Sequence, residues 1–262
     1  MKAQAVAQFI EEIAPIARGV PGDEYGFVFG DPNTEVQGIA TCWSPTLEVI
    51  KRAIENAINM IVAHEPLFIP HSASIWLTSL PVNCKLPNIK RMELLVKHKI
   101  CVHRSHSNWD AAPKHGTVDG FGAFLGFEKE IARGKYTRVY ELEPVRLENL
   151  ALNIKTKLGL PGLRVIGDRS RIITKAGTAI GGLGGIFDIP DELASLGAQV
   201  GIFGEMLDYT IRAAIEYDLC VIETAHGASE NPGIRNFAQI LQAEFPQVKV
   251  MFIDSGTPWT YI

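Results

Sequence analysis

Ile61-Val62-Ala63-His64-Glu65 is an apolar, mostly β-branched run that stops abruptly at an imidazole and a carboxylate. It reads as a strand with a polar end. The residues before it supply a helix: Ser44-Pro45 has the form of an N-cap followed by proline at the first helical position, opening a helix through about Asn59. The same order repeats downstream, where a helix over roughly 88–98 feeds a strand ending near His103. Beyond residue 135 the spacing predicts strand 136–142, helix 146–158, strands 163–167 and 171–180, helix 189–197, strand 199–203, helix 205–217, strand 219–224, helix 230–244 and strand 248–253. Helix alternating with strand is the pattern of an α/β fold with a parallel sheet.

The first residues fit that class. Val6, Phe9, Ile10, Ile13 and Ile16 fall at helical spacing, and the short runs 27–30 and 37–40 read as a strand pair joined through the turn residues Asp31-Pro32-Asn33. Around residues 128–135 the alternation breaks into a charged stretch with glycine, read either as a solvated loop or as a boundary between lobes. Taken as a boundary, it gives an N-terminal α/β lobe over 1–127 and a C-terminal α/β lobe over 128–262, whose last strand is free to pack back on the first lobe.

At 262 residues the chain is long enough to bury a large core. A formal net charge of −4 and a pI of about 6.0 provide no basic face for phosphates, so nucleic acid is a poor partner. Cys42, Cys84, Cys101 and Cys220 lie far apart without metal-type spacing and read as buried free thiols of a reducing compartment. The N-terminal segment carries Glu11 and Glu12 and lacks the apolar core of a secretory signal. No run reaches the ~18 apolar residues of a membrane helix. The expectation is a soluble cytoplasmic protein.

Two more strand ends resemble the first. Cys101-Val102-His103-Arg104-Ser105-His106-Ser107-Asn108-Trp109-Asp110 and Val221-Ile222-Glu223-Thr224-Ala225-His226-Gly227-Ala228-Ser229-Glu230 also run from apolar residues into histidine and carboxylate. Imidazole and carboxylate are the donors that divalent metals prefer, and strand ends are where α/β proteins gather them. His226 and Glu230 are four apart, so a helix there would aim both from one face; the competing reading is a cap at Ser229 with Glu230 favoured by the helix dipole. His106, Asn108 and Asp110 alternate along a segment that reads as extended, which would put all three on one side. Pro66 interrupts the strand after His64 and Glu65, so a loop could aim both inward, or leave them an exposed pair. His71, His98, His103 and His115 lack a carboxylate companion and read as surface or satisfied core residues.

Brought together, Glu65, Asp110 and Glu230 would crowd three like charges, which demands cations. Two divalent ions, with neutral His64 and His226, would leave a slight positive excess for an anionic substrate; ions ~3.5 to 4 Å apart can activate water between them. The glycine run 181–185, between a strand and a helix, reads either as a tight turn or as backbone that approaches an anion. Glu205 reads as a carboxylate behind a ligand or as a helix N-terminal residue.

Val62-Ala63-His64-Glu65-Pro66-Leu67-Phe68, His106-Ser107-Asn108-Trp109-Asp110-Ala111-Ala112-Pro113, the Gly181–Gly185 loop, Phe203-Gly204-Glu205 and residues 223–230 occur in an order that resembles the GTP cyclohydrolase 1 type 2 homolog family, also called NGG-interacting-factor-three-like. The resemblance extends over nearly the whole chain. It implies two α/β lobes facing each other with a dinuclear metal site at their junction, commonly in a toroidal homohexamer. By motif, His64 stands at the first histidine of a His-His pair, Asp110 at the bridging carboxylate, and His226 with Glu230 at the closing ligands. Glu65 departs from the pattern, replacing the second histidine with an anionic donor, which either hardens the centre or misses the metal. His106 matches the histidine before the aspartate, where it either supports a ligand from behind or transfers protons. Trp109 occupies a position more often aliphatic, where it either packs or stacks on a substrate ring. The expected cofactor is two divalent ions per chain, Zn, Fe, Mn or Mg. The expected function is a metal-dependent hydrolase acting on a nucleotide-like or phosphorylated small molecule, against a non-catalytic metal-binding, metal-sensing or scaffold ring.

Overall fold

A computed structural model describes residues 1–69, 85–260 and 262; His71 and Cys84 lie outside the described residues. The chain divides into two compact units, Met1–Ala112 with Ile234–Gly256, and Pro113–Gly233 with Thr257–Ile262. In chain order come α1 (Ala3–Ile13), β1 (Gly26–Phe29), β2 (Gly38–Cys42), α2 (Leu47–Glu55), β3 (Met60–Ala63), α3 (Leu86–Lys97), β4 (Cys101–Arg104) and α4 (Ser107–Asp110). Then follow α5 (Thr117–Leu125), β5 (Lys129–Arg133), β6 (Arg138–Arg146), α6 (Leu147–Leu158), β7 (Arg164–Ile166), β8 (Ile172–Ala179), α7 (Asp188–Ser195), β9 (Val200–Phe203), α8 (Asp208–Glu216) and β10 (Cys220–Glu223). The chain closes with α9 (His226–Glu244) and β11 (Lys249–Phe252).

Within the first unit the sheet order is β1-β4-β3-β2-β11, with β11, β2, β3 and β4 parallel. β2, β3 and β4 are buried at every residue, as expected of parallel strands covered on both faces. Met60, Val62 and Cys101 face α1 and the Ile234, Phe237 and Leu241 side of α9, whereas Ile61, Ala63 and Val102 face Val49, Ile50 and Ala53 of α2 and Leu95 of α3. The expected β1–β2 pair does not form. β1 instead lies antiparallel on β4 at the sheet edge, because both sides of β2 are taken by parallel partners and the half-buried β1 tolerates an edge. Asp31 to Thr34 do turn, with Thr34 N donating to Asp31 O at 3.0 Å. The cap of α2 is Thr46, whose hydroxyl accepts from Val49 N at 3.3 Å, two residues beyond the expected Ser44.

The second unit holds a mixed sheet of order β5-β6-β8-β9-β10-β7, in which β8, β9 and β10 run parallel while β5, β6 and β7 join antiparallel. The charged stretch 128–135 forms the edge strand β5, and its alternating exposure explains why it reads as solvated. The units part earlier, at Ala112, since α5 buries Val118, Phe121 and Leu125 in the second core. From Ile234 onward α9 packs in the first core, so this helix segment as well as β11 belongs to the first unit.

Cys42, Cys101 and Cys220 are free and buried, and burial raises all three thiols, Cys101 to about 11. Among the described residues no helix is long and apolar enough to cross a membrane.

Candidate metal centre

In the first unit the polar end of β3 is held by its neighbour: His64 N donates to Cys42 O at 3.1 Å and Glu65 N to Trp43 O at 2.7 Å. The His64 ring is buried, and its Nδ1 lies 3.1 Å from the Ser105 carbonyl oxygen. A carbonyl only accepts, so Nδ1 carries the proton and Nε2 presents a lone pair. That lone pair faces Asp110 Oδ1 at 3.4 Å. Two acceptors at this distance require a cation between them, a proton or a metal ion. Ligand atoms bound at ~2.1 Å in a tetrahedral shell sit ~3.4 Å apart, so the spacing suits a metal.

Asp110 reaches this position through a turn of helix. The expected extended course of residues 106–110 is corrected to α4, with Asp110 N donating to His106 O at 3.0 Å. Helical spacing keeps Asp110 one turn after His106 and turns Asn108 away, where its amide donates to Ala14 O at 2.8 Å. Trp109 is stacked on Phe237, with ring centroids 3.9 Å apart, and is buried, so it packs the core. His64, Glu65 and His106 offer donor atoms within 4.8 Å of one another.

The residue that sequence reasoning missed is Asp23. Its carboxylate accepts from His106 Nδ1 at 2.6 Å, Ser107 Oγ at 2.7 Å and Arg104 Nη1 at 2.7 Å. Burial opposes ionisation of Asp23, but the hydrogen bonds from His106 and Ser107, the His106 charge and Arg104 outweigh it and hold the carboxyl far below the usual range. Arg104 in turn donates through Nε to the His64 carbonyl at 3.1 Å. Asp23 therefore orients the His106 ring and braces the end of β3. It follows Pro21-Gly22, which signals a turn and nothing more.

The second unit repeats the pattern. α9 starts at His226, so His226 and Glu230 share a face, and His226 Nε2 lies 3.4 Å from Glu230 Oε2. Glu205 Oε1 sits 3.0 Å from His226 Nδ1 and accepts a hydrogen bond from it, again leaving Nε2 with a lone pair. Ser229 does not cap the helix. Its hydroxyl accepts from Gly181 N at 2.9 Å and donates to His226 O at 2.7 Å. Ala225, just before His226, has φ of 142°, a region nearly reserved for glycine, and this strained joint lets the chain pass from β10 into α9.

The glycines of the 181–185 loop serve close packing around this pair. Gly181 has φ of +61°, and a Cβ there would meet Glu230 Oε1 at 2.0 Å. A Cβ on Gly204 would meet Gly181 N at 2.4 Å. His103 is buried edge-on against Phe27, and burial lowers its pKa to about 4. His98 ends α3, and His115 is exposed.

A family model described as Duf34/NIF3 (NGG1p interacting factor 3) matches residues 1–258. A Clostridium perfringens protein named GTP cyclohydrolase 1 type 2 homolog is 30% identical over 242 residues, covering 88% of this chain and 88% of its own. A Clostridium acetobutylicum protein of the same name is 28% identical over 244 residues, covering 89% of this chain and 87% of its own. Among solved structures, a hypothetical protein of Staphylococcus aureus superposes with a TM-score of 0.84 at 22% identity, over 100% of this chain and 99% of that one. This last likeness concerns the fold.

Proposed function

The chain belongs to the Duf34/NIF3 family, and from that premise we propose that it is a divalent-metal protein in which both donor sets serve one dinuclear centre. His64, Glu65 and Asp110 would come from the first unit and His226 with Glu230 from the second. Asp110 would bridge the ions. One observation carries this reading: in each set an imidazole whose Nδ1 proton is already committed turns Nε2 toward a carboxylate oxygen at 3.4 Å. Manganese, iron, zinc and magnesium all suit such donors, and Glu65 in place of a histidine tilts the choice toward the harder ions.

When bound, paired ions supply the Lewis acidity that makes water nucleophilic near neutral pH. The chain's own part is positional. Ser105 O and Glu205 fix the tautomers of His64 and His226, and Asp23 holds His106 with Nε2 free to take or give a proton. The reaction class that fits is hydrolysis of a nucleotide-like or phosphorylated small molecule in a homo-oligomer, a toroidal hexamer by family likeness, working in the cytoplasm. Glu65 favours a second reading, since an anionic donor makes the ions less electrophilic; in it the ring holds or senses metal without turnover.

Elemental analysis of protein reconstituted with each ion tests the centre. Wild type should hold close to two ions per chain, and Asp110→Ala fewer than one while keeping its circular dichroism. Well under one ion in the wild type would overturn the proposal. Turnover of nucleotides and phosphoesters above that of Asp110→Ala separates the hydrolase from the metal-holding reading.

A further inference from the structure

Three residues before His226, β10 ends at Glu223 beside a cleft of about 270 Å³ lined by Arg164, Glu223, Thr224, Ala225 and Trp259, all in the second unit. Arg164 pairs with the mostly buried Glu223 carboxylate, which also accepts from Met206 N at 3.2 Å. A guanidinium offers five N–H donors in a fixed fork. Among the described residues, Arg164 uses only Nη2, toward Glu223 and toward Met206 O at 3.1 Å, so Nε–H and the Nη1 hydrogens remain, on a side chain 53% exposed. Glu223 steadies the guanidinium and leaves those other donors uncommitted among the described residues.

Trp259 stands on the same wall, half exposed, with no ring contact or hydrogen bond among the described residues. An indole face left open beside a guanidinium with uncommitted N–H donors suits a planar ring attached to a phosphate, because the ring stacks on the tryptophan while those donors make charge-assisted hydrogen bonds to the phosphate. The floor includes the strained Ala225, whose peptide leads directly into His226. Backbone strain of this kind persists only where the surrounding structure holds it, and it clusters at active sites and ligand clamps.

We propose that this cleft is a nucleoside-monophosphate subsite, in which Trp259 stacks on the base and Arg164 binds the phosphate. Its role as the recognition arm of the metal centre rests on the function proposed above. Binding itself does not, and the test separates the two.

Calorimetric titration of the metal-stripped full chain uses AMP, GMP, CMP and UMP, with ribose 5-phosphate and inorganic phosphate as arms lacking the base. At least one nucleotide should bind at least tenfold more tightly than ribose 5-phosphate. Trp259→Ala should remove about tenfold of that affinity and abolish the preference for a base. Arg164→Gln should weaken nucleotide and ribose 5-phosphate alike, and an unchanged thermal melt shows that the exposed edge strand survives the change. The proposal is overturned if no nucleotide binds the wild type, or if Trp259→Ala and folded Arg164→Gln bind as tightly as wild type. Nucleotide binding by a wild-type chain that takes up no metal on reconstitution would leave the subsite standing and remove only the metal centre.

Discussion

Asp23→Asn is the sharpest perturbation of the first donor set, because it changes one charge and almost no volume. The carboxylate, 10% exposed, is shared by Arg104, which is 2% exposed, by His106 and by Ser107. Removing one partner of a buried ion pair typically costs ~3–5 kcal/mol, since the other charge stays buried. The asparagine oxygen can keep one hydrogen bond, which recovers ~1 kcal/mol, and its amide would set donor against donor on the other side. The expected loss is therefore ~2–4 kcal/mol. Urea unfolding followed by tryptophan fluorescence reads the relevant unit, since Trp43 and Trp109 both fall within Met1–Ala112. The folded state favours ionised Asp23, so its contribution is complete above the unfolded carboxylate pKa of ~4 and declines as pH falls below that value. The gap between wild type and variant should narrow in acid as the unfolded wild-type chain takes up a proton at Asp23. A loss under ~1 kcal/mol at neutral pH, or a gap that persists unchanged in acid, would refute the assigned role of Asp23.

Gly181→Ala should weaken metal binding although Gly181 is not itself a ligand. Its Cβ would fall 2.0 Å from Glu230 Oε1, and displaced ligands commonly lose ~10- to 100-fold in affinity. Gly159→Ala is the matched control, with φ of +65° and nothing near its Cβ. Both variants should lose ~1–2 kcal/mol from left-handed strain, but only the first should lose affinity in chelator competition. His103 titrates at about 4 in the folded protein because burial disfavours its charged form. The unfolded chain, with a histidine pKa of ~6.5, binds the proton first, so lowering pH from there toward 4 should cost ~3 kcal/mol. His103→Leu should flatten that part of the stability profile, and an unaltered profile would place the acid sensitivity elsewhere.

The elements that carry the site were legible where the governing interactions are local. Helical spacing alone puts His226 and Glu230 on one face, and the apolar runs ending at His64, His103 and Glu223 were visible as strands. Residues 106–110 misled because a single turn of helix is too short to show a period, and alternation over five residues resembles a strand. α5 escaped for a related reason: Gly120 and Gly122 dilute its helical signal, and Gly122 is there because a Cβ would strike the Tyr140 ring of β6.

By itself the amino-acid order determined class and chemistry: β-branched runs set between amphipathic stretches yield α/β units, and histidines with carboxylates at strand ends provide metal-type donors. Tertiary structure alone decided which strand sits beside which, so that β1 joins β4 and the chain returns to the first unit at Ile234. It also decided that Asp23, 83 residues before its histidine partner, would aim that imidazole. Periodicity is written between neighbours in sequence, whereas strand pairing and buried ion pairs are selected by the burial that the whole fold achieves, which no local pattern records.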